Sequence, residues 1–300
     1  VMDAIDRILE KRAFSKLKKS FVNTPSKNVP IVLTSSSDQG VQRNGGKLGA
    51  RFAPKCILNE LGKLEVHEFT PKKIFIKEVC KKFENFNQSQ IHQIEMIKTY
   101  ITNSRNKILH LGGGHDHIYP FLLNLSSFDN IQKLLILNID AHLDTRTDKF
   151  PHSGTPFRQF AQNSKKPSTI IQLGVHKETN HQSNYESLES TSMITEEFFN
   201  LEDLAHIKRK ILSIYDTDTL IVLSIDCDGI DLNHLPAVSA PNPYGTPFEL
   251  VLKLIHFLSV EKNICHHMGL YELNPIFDHV NNLSARKAAW LAYKFLQSSK

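Results

Sequence analysis

Two stretches of this 300-residue chain end in side chains suited to binding metal ions. Leu134 to Ile139 is an apolar run of strand length that leads into Asp140, His142 and Asp144. Leu220 to Ile225 leads in the same way into Asp226 and Asp228. Side chains two apart on an extended chain point the same way, so each run delivers its acids and imidazole from one end of a buried strand. Four carboxylates gathered without cations repel one another, and a pair of divalent ions removes that repulsion. These residues point to a dinuclear metal site.

The donors also speak to the metal. Carboxylates and imidazoles with no thiolate placed among them favour manganese over zinc, with iron and cobalt still compatible. Two such ions sharing a water lower its pKa and hold it as hydroxide. The expected chemistry is hydrolysis at a planar electrophilic carbon.

The elements that must position these residues alternate along the chain. Strands are expected at Val29–Thr34, Lys107–Leu111, Leu134–Ile139, Thr169–Leu173, Leu220–Ile225 and His267–Tyr271. Helices are expected at Lys55–Leu61 (opened by Pro54), 85–104, Tyr119–Leu125, near Asn200–Tyr215, Phe248–Leu258 and near Ser284–Leu296, with a helical turn at Thr155–Ala161. Alternation of this kind gives an α/β fold with a mainly parallel sheet covered on both faces. Ligands of such sheets bind beyond the carboxyl ends of the strands. His115, the two acidic clusters and Glu272 all follow strand ends. Asp231 reads as a turn cap or as an acid standing behind the ligands. The glycine-rich loop 38–54 reads as a functional rim; it lacks the Lys-Ser/Thr of a P-loop.

Composition bounds the rest. With no repeat or low-complexity linker, residues 1–300 read as one domain, which begins over 1–25 with a basic helix or arm. A net charge of +5 and a pI near 8.9, with lysines and arginines spread along the chain, suit solubility and an anionic small-molecule substrate better than nucleic acid. Cys56, Cys80, Cys227 and Cys265 show no paired spacing, and no apolar leader or membrane-length run is visible. A cytoplasmic protein that contacts no membrane is expected. The stretch 176–200 reads as a lid or a surface excursion.

Five stretches, in order, resemble the motifs of the ureohydrolases, a superfamily of arginases, agmatinases and formimidoylglutamases. They are the 38–54 loop, Gly112-Gly113-Gly114-His115-Asp116, Asp140-Ala141-His142-Leu143-Asp144, Ser224-Ile225-Asp226-Cys227-Asp228-Gly229-Ile230-Asp231 and Glu272-Leu273-Asn274-Pro275. The resemblance covers about residues 30 to 290. It implies a three-layer α/β/α sandwich, two Mn2+ per subunit and a homo-oligomer, trimeric or hexameric. It further implies that His115 and Asp144 serve one ion and His142 and Asp228 the other. Asp140 and Asp226 would bridge the pair as catalytic ligands, and Glu272 would hold the cationic substrate group.

Ser153-Gly154-Thr155-Pro156-Phe157 and Val238-Ser239-Ala240-Pro241 resemble the formimidoylglutamase branch in particular. That branch implies hydrolysis of N-formimidoyl-L-glutamate to L-glutamate and formamide, a step of histidine degradation. Thr155 and Arg158 become candidates for substrate contact, with Arg51 an alternative partner for a substrate carboxylate. His152 lies near, but not at, the position of a histidine credited with proton transfer in arginases and agmatinases. The rival readings are a guanidino-acid hydrolase releasing urea, a non-catalytic metal-binding member, and a nucleic-acid binder working through the basic arm.

Overall fold

The computed structural model describes residues 16–26, 28–80, 83–185, 193–199 and 203–297. Nine strands form one sheet: β1 (Phe21–Val22), β2 (Ile31–Ser35), β3 (Ile74–Glu78), β4 (Ile108–Gly112), β5 (Lys133–Ile139), β6 (Ser168–Leu173), β7 (Met193–Phe199), β8 (Thr219–Asp226) and β9 (Cys265–Tyr271). Their order across the sheet is β1-β3-β2-β4-β9-β8-β5-β6-β7, and every pairing is parallel. The helices are α1 (Gln39–Arg43), α2 (Ala53–Leu61), α3 (Phe86–Tyr100), α4 (Ile118–Leu125), α5 (Pro156–Asn163), α6 (Leu204–Ile214), α7 (Phe248–His256) and α8 (Leu283–Leu296).

Two apolar cores lie on opposite faces of this sheet. Ile57 and Leu61 of α2, Ile207 and Ile211 of α6, Val251 and Leu254 of α7 and Leu291 and Phe295 of α8 pack on one face. Ile97 of α3, Phe121 of α4 and Phe157 and Phe160 of α5 pack on the other. The three-layer α/β/α sandwich is therefore present. β8 is buried along its whole length and β5 from its second residue onward, as strands covered on both faces must be.

The strands that carry the chemistry-bearing residues, β4, β9, β8 and β5, are consecutive neighbours at the centre of the sheet. Ile139 pairs with Ile225, so Asp140 and Asp226, the next residue of each chain segment, emerge side by side. Gly229 permits a further close approach. A Cβ there would sit 2.6 Å from the Cα of Asp140, so only glycine lets the two acidic loops touch.

Three strands differ from the sequence expectation. β1, β3 and β7 lie toward the sheet's margins, where short or half-polar segments suffice, and the Lys77-Glu78 end of β3 breaks its apolar run. The anticipated N-terminal arm is also revised where it is described. Residues 1–15 lie outside the described residues, but Leu17–Ser20 is a short 3-10 turn with Leu17 buried, and Phe21–Val22 pairs with β3. Within 176–200, residues 193–199 form β7, while 186–192 and 200 lie outside the described residues. Asn85 caps α3 and Asp203 caps α6, which moves the start of the latter to Leu204. No helix among the described residues is long and apolar enough to cross a membrane.

Candidate metal centre

The turn after β4 places His115 beneath the two acidic loops. Its Nδ1 lies 2.8 Å from Asp144 Oδ2 and 3.2 Å from both Asp140 Oδ2 and Asp226 Oδ2. On the other side of the ring, Nε2 lies 2.8 Å from Ser224 Oγ. A hydroxyl facing Nε2 suits the tautomer that keeps its proton there and turns the Nδ1 lone pair toward the carboxylates. His142 is the more exposed imidazole; its Nδ1 lies 3.4 Å from Asp140 Oδ1 and 3.5 Å from Asp228 Oδ1.

These atoms form two overlapping donor groups. His115, Asp140, Asp144 and Asp226 make one, and Asp140, His142 and Asp228 make the other, each with donors within 4.8 Å of one another. All six anticipated ligands are thus brought together, and Asp140 belongs to both groups. Asp226 falls in the first only. Its Oδ2 faces His115, while its Oδ1 accepts the Asp228 backbone N–H at 2.9 Å.

The donors fit a cation better than they fit each other. His115 Nδ1 and Asp228 Oδ1 are buried, yet neither makes a hydrogen bond of good geometry. Groups this close that converge on shared points instead of on one another are arranged as ligands are, and buried polar atoms are rarely left unpaired otherwise. The electrostatics agree. Burial, then Asp228 and Asp140, push the Asp226 carboxyl well above the usual range. Burial opposes protonation of His142, but Asp140 and Asp228 outweigh it and carry the imidazole up to about 12. The cluster demands positive charge.

Glu272 follows β9 with a left-handed backbone (φ 61°), and Asp144 is similar (φ 52°). Such a conformation is costly for residues with a Cβ and persists only where surrounding contacts enforce it. The backbone N–H of Glu272 donates to Gly113 O at 2.8 Å, and its Oε1 accepts the His115 N–H at 2.9 Å. Its carboxyl is pushed well up by burial and then by Asp228.

Above the cluster opens a cleft of about 180 Å3. His142, Asp144, Asp226, Asp228 and Glu272 share it with Asn44, Arg146, Ser153 and Ser239. Thr155 and Arg158 do not line it. The Thr155 hydroxyl closes a turn onto the backbone of His152, and Arg158 Nε donates to Thr145 O at 2.7 Å, so both brace the loop from behind. Arg51 is bound to Asp38 at 3.4 Å. His152 accepts from Gly154 N–H through Nδ1 and meets Asp148 through Nε2 at 2.7 Å, which fixes the loop and leaves no ring nitrogen for the cleft. Asp231 caps a turn through Asn233 N–H.

Arg146 was not among the anticipated substrate contacts. It stands two residues after Asp144, so extending the alternation Asp140, His142, Asp144 by one step would have found it. Its Nη1 donates to Asn44 Oδ1 at 2.7 Å, and no carboxylate lies within 4.0 Å of it among the described residues.

A doubly covered parallel sheet with a carboxylate–imidazole cluster at its carboxyl rim defines the class of this chain: an α/β protein with a candidate metal centre. The Arginase family model matches residues 31–297, and the chain belongs to that family. It is an enzyme of the hydrolase class. The formimidoylglutamase of Photorhabdus laumondii is 28% identical over 290 residues, covering 94% of this chain and 90% of the relative. The crystal structure of formimidoylglutamase from Bacillus subtilis superposes with a TM-score of 0.80 at 18% identity, covering 94% of this chain and 91% of that one. A Trypanosoma cruzi formiminoglutamase structure with Mn2+ gives 0.75 at 20% identity, covering 94% and 97%.

Proposed function

We propose that this enzyme is a dimanganese hydrolase that converts N-formimidoyl-L-glutamate and water to L-glutamate and formamide. The observation that carries the reading is the pairing, in one cleft, of a buried carboxylate, Glu272, with a guanidinium that has no carboxylate partner among the described residues, Arg146. A substrate with a cationic amidine at one end and carboxylates at the other matches that pair of charges. Agmatine, which has no carboxylate, would leave Arg146 unanswered. The relatives named formimidoylglutamase support the same choice, and the neighbour with Mn2+ supports the metal.

His115, Asp140, Asp144, Asp226, His142 and Asp228 would hold the ions, with Asp140 contributing to both. When bound, a Mn2+ pair supplies Lewis acidity, polarising the substrate and making water acidic enough to attack at neutral pH. The protein does the positioning. Glu272, pinned by the His115 N–H, receives the amidinium N–H groups and holds the formimidoyl carbon over the cluster. The amidinium in turn stabilises the ionised form of that carboxyl. Arg146, oriented by Asn44, binds carboxylate through its planar fork. Water adds at the formimidoyl carbon, the bond to the glutamate nitrogen breaks, and that nitrogen leaves as the protonated amine.

A substrate panel on manganese-loaded protein tests the reading: formimidoylglutamate, arginine, agmatine and guanidinobutyrate, with formamide and urea measured separately. Formamide from the first and no urea from the others is the expected result. Urea from any guanidine overturns the substrate while leaving the metal centre standing.

A further inference from the structure

The opposite end of the sheet holds a second polar cavity, of about 290 Å3, at the amino ends of β8 and β9. Eight residues of β8 separate it from the metal cluster, roughly 25 Å at the rise of a strand. It is a site apart from the cleft already described. Arg105, Thr217, Asn263, His266 and His267 line it, and no acidic side chain does.

Three independent features mark it as built to hold something. His267 is buried to 1% exposure, and neither ring nitrogen makes a hydrogen bond of good geometry. The Ile221 carbonyl is close enough to influence the ring, yet not aligned to satisfy it. A buried imidazole left in that state is costly unless a ligand or water completes it. Secondly, the β8–β9 register shifts at this point. Ile221 pairs with Cys265 and Val222 with His267, so His266 is the extra residue of a bulge, which turns it out of the ladder and into the cavity wall. Bulges of this kind commonly re-aim a side chain at a functional site.

Charge is the third feature. Arg105 is exposed and has no carboxylate partner among the described residues. Burial, then Lys107 and Arg105, depress the His266 imidazole to about 4, a sign that the local field is positive. Two acids stand next to the lining without entering it. Asp216 is held by Lys133 at 2.7 Å and by the Thr219 hydroxyl at 2.6 Å. Asp218 holds the Thr217 hydroxyl only through a long contact of 3.4 Å, which an anion in the cavity would have to displace. A guanidinium fork, a hydroxyl, a carboxamide and two imidazoles around a cationic hollow match the acceptors of an oxyanion.

We propose that this cavity binds a small oxyanion of the phosphate or dicarboxylate class, with Arg105 as its charge partner and His266 and His267 as hydrogen-bond donors. The occupant sits at the roots of β8 and β9, the strands whose far ends carry Asp226, Asp228 and Glu272.

The test is imidazole-resolved NMR on the manganese-loaded full chain, titrated in chloride buffer with inorganic phosphate and, separately, with glutarate. Saturable shifts of the His266 and His267 resonances, with a Kd of about 1 mM or tighter for at least one anion, are expected. The anion that saturates identifies the class. A dicarboxylate entering the catalytic cleft instead would leave both histidines unmoved. Arg105→Gln, an exposed change that spares the core, should weaken binding at least about tenfold, the order of a lost charge-assisted contact. Thr217→Ala should weaken it less. Resonances that do not saturate with either anion, or an Arg105→Gln variant that binds like the parent, overturn the proposal.

Discussion

Tyr271 lies under His115 with ring centroids 5.1 Å apart and planes inclined by 27°. The tyrosine ring is itself bedded on two glycines. A Cβ at Gly112 would come within 2.5 Å of it, and one at Gly269 within 2.2 Å of its hydroxyl. Tyr271 OH lies 3.0 Å from His110 Nδ1, and His110 Nε2 lies 2.8 Å from Ser35 Oγ. A buried polar network thus supports the platform on which the imidazole rests, while Ser224 orients that imidazole edge-on.

Those two supports should separate experimentally. Ser224→Ala removes the group that faces His115 Nε2 and should cost about ten- to a hundredfold in metal affinity. Tyr271→Phe keeps the stacking surface and breaks only the contact with His110. It should leave metal affinity nearly unchanged while lowering stability by about 1 kcal/mol. Metal titrations and urea melts on both variants check this; equal loss of affinity in the two would show that the serine has no orienting role.

Asp140 belongs to both donor groups, whereas His142 and Asp144 each belong to one. Asp140→Asn should therefore abolish retention of metal at both positions and reduce turnover to background. Asp226→Asn should abolish turnover too, since its carboxylate stands 3.2 Å from His115 Nδ1. Metal content per chain, measured beside activity, decides the matter. Full activity with a single bound ion would sink the dinuclear reading.

The clustered donor residues were legible in the sequence because two physical signals coincide there. The runs ending at Ile139 and Ile225 are buried on both faces, so they are almost wholly apolar, and the polar residues after them stand out at a spacing of two. β3 and β7 gave no comparable signal. The cleft wall was harder to read, because a loop's path decides which side chains face in. Thr155 and Arg158 sit beside the rim in sequence, but the turn onto His152 directs them into the protein. Arg146 could have been placed only by assuming that the strand-like alternation continued past the strand. The neighbourhood of β4, β9, β8 and β5 is a tertiary fact, set by which helices cover which face.

Arg146 should carry substrate affinity more than chemistry. Its partner Asn44 holds it at 2.7 Å, and Asn44 in turn bonds Ser153 Oγ at 3.1 Å. Arg146→Gln should raise KM for formimidoylglutamate by about ten- to a hundredfold with kcat changed far less, the signature of lost uniform binding. Arg146→Lys should recover part of the loss, since charge returns without the planar fork. A fall in kcat at constant KM would place the residue in the chemical step and refute the carboxylate role.

His267 gives a pH-dependent prediction far from the candidate metal centre. Burial, and then His266, hold its imidazole down to about 3 in the folded chain, against about 6.5 when unfolded. As pH falls below 6.5 the unfolded chain takes up a proton that the folded one refuses. Stability is therefore full above that value and is lost progressively toward pH 3. The loss due to this group is about 2 kcal/mol at pH 5. His267→Leu removes both the titration and the two unpaired nitrogens, so it should be more stable than the parent, with a gap that widens by about that amount between pH 8 and pH 5. Urea melts in chelator and phosphate-free buffer isolate the effect, because the carboxylates of the metal centre are common to both proteins and cancel. A gap that stays constant with pH would mean that His267 is protonated, or hydrogen-bonded, in the folded protein.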